Sequence, residues 1–503
     1  MAALEPNDLH RVEDHARMPI LPNPSPTAQH LIPPPTRPRG RLSGIVNASI
    51  AVIALLMIFF LGSGWLTNAS FFLAERHLQA GIGTPGRAIA FQGFSDVWLR
   101  KWGDHQFTKP DSKQIMLSEY NDYHMNAVAI QVTADQARST DTTLSYKSTD
   151  QGNTDSLPDQ DIQQAITDAQ AAGLTPILSL TLRMTQEPGT TSPIIAGNLW
   201  FNVPGQTIIL NGTAATSEHQ WIDSYTAFAV HYAQISQKYH LPYFIFGNDL
   251  LNLTTDTKNT AKGTRGATGS PGDKFTCSGR RDCDWRHVIN AIKSASYIDY
   301  QGKQQTGGGY QGQLIYGAYW GKDDQAPPEF EHITWWDAVD FIGVDAAFPL
   351  TQNVADVPVA TLIDAWHGKK DDLPLAGQGD IVGRLGGLYD KVKRPILFTS
   401  AGYESAPGAN TAPGTIAQTA RDDLEQEHDM EALLKALPQQ TAPWFAGVIW
   451  SFDEPKWPRS SVSGWATSSA WAGDTVTGSG PNDAKLAGKF LAQFYQQRPI
   501  SEE

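Results

Sequence analysis

Apolar residues along this chain gather in eight short runs, at 87–94, 127–133, 175–182, 243–250, 314–320, 341–348, 395–402 and 447–452. The runs are rich in Ile, Val, Phe and Leu and do not alternate cleanly, the pattern of parallel strands covered on both faces. Between them, stretches at 112–123, 159–172, 218–239, 285–297, 335–339, 360–366, 383–391, 416–437 and 483–495 repeat apolar residues with a helical period. Strand, helix, strand repeats predict parallel pairing through right-handed crossovers, and eight of them predict an α/β fold of the (β/α)₈ TIM-barrel type. An open doubly wound sheet is the rival arrangement, but no Gly-x-Gly-x-x-Gly follows the first run and no P-loop occurs. No short fixed period recurs, which argues against a solenoid or propeller.

A different pattern precedes the barrel. Residues 44–66 form a nearly unbroken apolar run without a charged residue, long enough as a helix to cross roughly 30 Å of hydrocarbon. Arg37, Arg39 and Arg41 stand just before it, so the positive-inside rule places the N-terminus in the cytoplasm and the rest of the chain outside. A cleaved signal peptide is the alternative; the run is long for one, and a tail precedes it. The expected organisation is a Pro-rich disordered cytoplasmic tail at 1–43, a transmembrane helix at 44–66, a stalk at 67–85 and the barrel at 86–498. Segments rich in Gly, Ser, Thr and Asn at 139–158, 186–214 and 253–279 follow the second, third and fourth strands and are expected to overhang the face where such barrels carry their reactive groups.

A chain of 503 residues is ample for one large barrel with appendages. Its net charge of −14 argues against a nucleic-acid partner, which would demand a basic surface. The only two cysteines, Cys277 and Cys283, lie in a polar Gly-rich stretch; outside the membrane they can pair, and free thiols are the alternative. No second ligand pair accompanies them, so a zinc site is not expected, and no His-Glu-x-x-His or dense His/Asp cluster suggests any other metal. No cofactor is expected. Asn68, Asn211 and Asn252 head acceptor sequons that only a eukaryotic secretory route would use.

In such barrels chemistry sits at the carboxyl ends of the strands. The fourth run closes as Phe244-Ile245-Phe246-Gly247-Asn248-Asp249-Leu250, and the seventh as Phe398-Thr399-Ser400-Ala401-Gly402-Tyr403. With Gly93-Phe94-Ser95, Ile315-Tyr316-Gly317-Ala318-Tyr319-Trp320, Trp335-Trp336-Asp337, Asp340-Phe341-Ile342-Gly343-Val344-Asp345, Phe348-Pro349-Leu350 and Trp444-Phe445-Ala446-Gly447-Val448, these segments make the chain resemble the barrels of glycoside hydrolase family 113 from about residue 88 to 494. The resemblance implies action on β-mannan by a retaining mechanism, with a glutamate acid/base at the position of Asp249 and a glutamate nucleophile at that of Ser400. Both positions depart from the pattern. Asp249 withdraws its carboxyl by one methylene, and a displacement of about 1 Å can cost on the order of 100-fold in rate. Ser400 offers no carboxylate for a glycosyl ester.

Glu404, Asp345 and Asp453 are the carboxylates expected near enough to compensate. For Glu404 the plain alternative is a solvated loop residue, and for Asp345 a hydrogen-bond partner organising neighbouring strand ends. Asp249 opposite Asp345 or Asp453 would suit an inverting reaction, which needs carboxyl groups about 6.5–9.5 Å apart. Candidate substrate-binding residues are Asp96, Trp98, Asn248, Tyr319, Trp320, Tyr403, Trp450 and Trp457, the aromatics among them as a stacking floor for sugar rings or, alternatively, as packing. Ser400 lies in no Gly-x-Ser-x-Gly elbow, so an esterase is disfavoured. Two functions remain: an outward-facing hydrolase of a polysaccharide or surface glycan with altered catalytic residues, or a silent barrel that binds glycan or scaffolds.

Overall fold

The computed structural model describes residues 91–95, 116–117, 119–138, 141–146, 158–184, 194–195, 214–255, 277–321, 328–352, 357–369, 379–403, 405–413, 422–437, 442–451 and 486–496. All belong to one compact unit, 71–503. Its centre is a ring of eight strands: β1 (Phe91–Ser95), β2 (Ala127–Gln136), β3 (Thr175–Met184), β4 (Tyr243–Asn248), β5 (Gln313–Ala318), β6 (Phe341–Asp345), β7 (Ile396–Ala401) and β8 (Phe445–Ser451). Each pairs in parallel with its neighbours in chain order, and β1 pairs with β8, so no edge is left open. This is the expected barrel. Around it lie α1 (Asp159–Ala172), α2 (Ala214–Lys238), α3 (Arg280–Lys293), α4 (Glu329–His332), α5 (Val359–Trp366), α6 (Ile381–Val392), α7 (Asp423–Ala436) and α8 (Leu486–Gln496).

Two buried layers follow from strand geometry. Ala127, Ala129, Ile177, Tyr243, Ile245, Ile315, Phe341, Leu397, Ala446 and Ile449 fill the barrel interior. Their alternate neighbours, among them Val128, Leu178, Phe244, Phe246, Leu314, Ile342, Phe398 and Val448, join the larger core between strands and helices. Since successive side chains point to opposite faces, both sets must be apolar, which is why the runs read as continuous.

Several element boundaries move. Strands four, five and six stop at Asn248, Ala318 and Asp345, two to three residues short of the apolar runs, whose last apolar residues, Leu250, Trp320 and Phe348, are buried beyond the strand ends. The helix expected at 285–297 is Arg280–Lys293, followed by an antiparallel hairpin of Ser296–Ile298 and Gln304–Thr306. A helix expected from 416 starts at Asp423, where the Asp422 carboxylate caps the amide of Glu425 at 3.0 Å. Asp380 caps α6 in the same way, on Gly383 at 2.7 Å. Cys277 and Cys283 are joined in a disulfide with Cα atoms 5.1 Å apart, at the start of α3.

The apolar run 44–66, the tail and the stalk lie outside the described residues. Among the described residues no helix is long and apolar enough to cross a membrane.

Candidate active site

Both strand ends that carry the candidate chemistry are bulged. On β4, Ile245 stands opposite Ile315 but Asn248 stands opposite Gly317, three steps against two. On β7, Phe398 stands opposite Val344 but Ser400 stands opposite Asp345, two steps against one. An extra residue reverses the inside–outside alternation beyond it. Phe246 and Phe398 therefore stay in the outer layer, while Asn248 and Ser400 share a face with Gly317 and Asp345 at the barrel mouth.

Glycines make room for this re-aiming. A Cβ on Gly247 would lie 2.5 Å from the Tyr225 hydroxyl, so the bulge fits only without one. A Cβ on Gly317 would lie 2.1 Å from Asn248 Oδ1 and 2.7 Å from Thr399 Oγ1, and one on Gly343 2.7 Å from Thr399 Cγ2. Asn248 and Thr399 thus fill the mouth over two bare strand positions. The Asn248 amide donates to Ser179 Oγ at 3.0 Å and to the Leu180 carbonyl at 2.9 Å, both on β3, which orients its remaining oxygen.

Asp249 is the next residue and takes a left-handed conformation, φ 53°, one that Asp tolerates better than most side chains. Its amide donates to the Gly317 carbonyl at 2.9 Å. Its carboxyl is buried, and Oδ1 has no hydrogen-bond partner among the described residues. Burial pushes this carboxyl well above the usual range, and the charges of Asp345 and Glu329 push it further. Asp345, ending β6, is raised by burial to about 7, opposed by a hydrogen bond from the Ala347 backbone. The two carboxyls repel each other across the same rim. Burial thus raises both carboxyls of this pair, and carboxyls so shifted at barrel strand ends mark a candidate functional site.

Glu329 was not legible as a site residue. It is fully buried on α4, accepting hydrogen bonds from the hydroxyls of Tyr316 (2.7 Å) and Thr254 and from the Tyr319 amide (2.8 Å). Burial lifts it to about 7 against those donors. Its only sequence signal is an acidic residue between Pro328 and Phe330, a weak one.

The remaining expected residues divide. Tyr319 and Trp320 lie at the rim after β5, 9% and 6% exposed, with ring centroids 5.3 Å apart. Tyr403 is fully buried, with its hydroxyl on the Phe348 carbonyl. Trp450 is placed differently from the expected stacking floor. It lies opposite Ala401 on the outward side of β8, fully buried, and its indole N–H donates to the Tyr495 hydroxyl of α8 at 2.9 Å. Asp96, Trp98, Glu404, Asp453 and Trp457 lie outside the described residues. Among the described residues no group of three or more His, Cys, Asp or Glu is placed to hold a metal ion.

A closed parallel barrel with electrostatically interacting carboxyls at its strand ends belongs to the class of barrels that carry their sites on that face. The sequence profile of Glycoside Hydrolase Family 113 matches residues 97–262 and 272–464, and the chain belongs to that family. The fold is similar to that of a GH113 β-mannanase from Alicyclobacillus acidocaldarius, with a TM-score of 0.53 at 18% identity over 81% of this chain and 98% of that one. It is similar also to a GH113 β-1,4-mannanase, TM-score 0.52 at 16% identity over 81% and 99%. No curated protein matches the chain.

Proposed function

We propose that this chain is a membrane-tethered, outward-facing family-113 barrel that cleaves a β-linked glycan of mannan type. Asp249 acts as proton donor and Asp345 as base. The observation that carries this reading is the buried Asp249 oxygen, without a hydrogen-bond partner among the described residues, on a carboxyl that burial lifts well above the usual range beside a second carboxyl lifted to about 7. Asp345 is Cα-paired with Ser400, so it brings a carboxylate to the neighbourhood where the family pattern expects the nucleophile.

Asp249 delivers its proton to the glycosidic oxygen as the bond to the anomeric carbon breaks. Water attacks that carbon from the opposite face and gives its proton to the Asp345 carboxylate. The product is inverted, no glycosyl ester forms, and the proton returns to Asp249 through solvent. Asn248, anchored on β3, presents its side-chain oxygen to a sugar hydroxyl, and Tyr319 and Trp320 edge the groove. The mannan class rests on the β-mannanases whose fold is similar. The tether rests on the uncharged run 44–66 behind Arg37, Arg39 and Arg41.

The test is release of new reducing ends from β-1,4-mannan and other β-glucans by the full-length protein in detergent, against an Asp249→Asn control. Release above the control with inverted product supports the reading; none above it ends it. Serine at 400 favours a second reading, a barrel that holds glycan without turnover. Its signature is mannan-oligosaccharide binding without any release.

A further inference from the structure

We infer that Glu329 is a positioning residue for Asp249, holding its carboxyl at the barrel mouth through Tyr316 and the backbone of the Leu250–Thr254 turn. The inference deepens the proposed role of Asp249 and rests on that reading for its catalytic consequence only.

The path is short and buried throughout. The Tyr316 hydroxyl donates to Glu329 Oε1 at 2.7 Å and accepts from the Leu250 amide at 2.9 Å. Leu250 directly follows Asp249, a left-handed residue with φ 53°, so holding the Leu250 amide restrains the ψ rotation of Asp249. Glu329 also takes the Thr254 hydroxyl, at the far end of the same turn. Two tryptophans close the turn from outside: Trp285 Nε1 donates to the Leu253 carbonyl at 2.8 Å and Trp335 Nε1 to the Thr254 carbonyl at 3.2 Å. These indoles are stacked on each other, with centroids 5.4 Å apart, and Tyr316 meets Trp335 edge-on at 5.1 Å. Hence Glu329 is tied, through the Tyr316 hydroxyl and directly, to both ends of the turn that follows Asp249. A buried carboxyl is costly unless it is used, and here each oxygen has donors aimed at it. Its charge also reaches Asp249, raising that group's proton affinity.

The experiment compares wild type, Glu329→Gln and Tyr316→Phe in the full-length protein. Selectively ¹³C-labelled aspartate, with Asp249→Asn identifying the signal, reports the titration of the Asp249 carboxyl without requiring turnover. Glu329→Gln should move that titration to lower pH, and Tyr316→Phe should change the Asp249 signal in the unligated protein. Where mannan is cleaved, kcat should fall about 10–100-fold in Tyr316→Phe with KM little changed, the response to a displaced catalytic group. A drop in melting temperature with the Asp249 titration unmoved in both variants would make Glu329 merely structural and overturn the inference. If one variant fails to fold, the other carries the same titration test. Absence of mannan cleavage by the wild type would defeat the hydrolase reading and leave the titration result standing.

Discussion

At the scale of single residues, the mouth of this barrel depends on what is missing as much as on what is present. Gly317 leaves the space in which Asn248 and Thr399 approach each other. Gly317→Ala should therefore cost about 1–3 kcal/mol, the usual penalty of overpacking, read as a lowered urea midpoint, together with weaker mannan-oligosaccharide binding as Asn248 is displaced. Gly387 on α6 has open space around its Cα. Gly387→Ala should instead stabilise by about 0.5–1 kcal/mol in the same assay, so equal losses at both positions would refute the packing argument. Residue 400 is the other decisive site. Ser400→Glu puts a carboxylate beside Asp345, and on the family pattern it should raise mannan release; unchanged release would count against the equivalence of that position with the family nucleophile.

At the scale of elements, the two bulges are the main device. Alternation read along the chain puts Asn248 on the side of Phe246 and Ser400 on the side of Phe398, both in the outer layer. One extra residue in each strand turns them inward, and a bulge leaves little trace in a run of apolar residues. Trp450 shows the converse. Its strand end and aromatic ring made it a candidate for sugar stacking, yet β8 keeps it facing α8 and its indole bonds Tyr495. Trp450→Phe should lower stability by about 1–3 kcal/mol through the lost donor and packing, measured by denaturant titration, while oligosaccharide affinity stays at the wild-type value. A loss of affinity without a loss of stability would return Trp450 to the groove.

At the scale of the whole molecule, the buried carboxyls couple both activity and stability to pH. In the proposed reaction Asp345 must be ionised, so activity should fall as pH drops below about 7, and it should fall again at higher pH as Asp249 loses its proton. The two limbs belong to the pair, and Asp345→Asn should remove the bell along with the activity. Stability runs the other way. Glu329 and Asp345 titrate near 7 in the folded barrel but near 4.5 and 3.8 when free, so the folded state holds their protons more tightly. Their contribution is fully present below about pH 4 and is lost as pH rises through about 7. The melting temperature should therefore be higher at pH 5 than at pH 7, and Glu329→Gln should flatten that difference. A melting temperature that rises steadily from pH 5 to 7 in the wild type would contradict these assignments.

Much was decided by local chemistry in the chain itself. Eight apolar runs interleaved with helical periods marked parallel strands buried on both faces, and the lack of a Gly-x-Gly-x-x-Gly or P-loop favoured the barrel over an open doubly wound sheet. The family motifs were likewise written in residue identity, as were the aspartate at 249 and the serine at 400. Tertiary structure alone decided which way strand-end residues point, since a bulge is a property of two strands in register and alternation along one strand says nothing of it. It also decided that Glu329, distant in sequence and carrying no motif, belongs with Asp249. Burial among Tyr316, Thr254 and two tryptophans arises only when four segments of the chain meet, and it is that burial which turns an ordinary glutamate into part of the site.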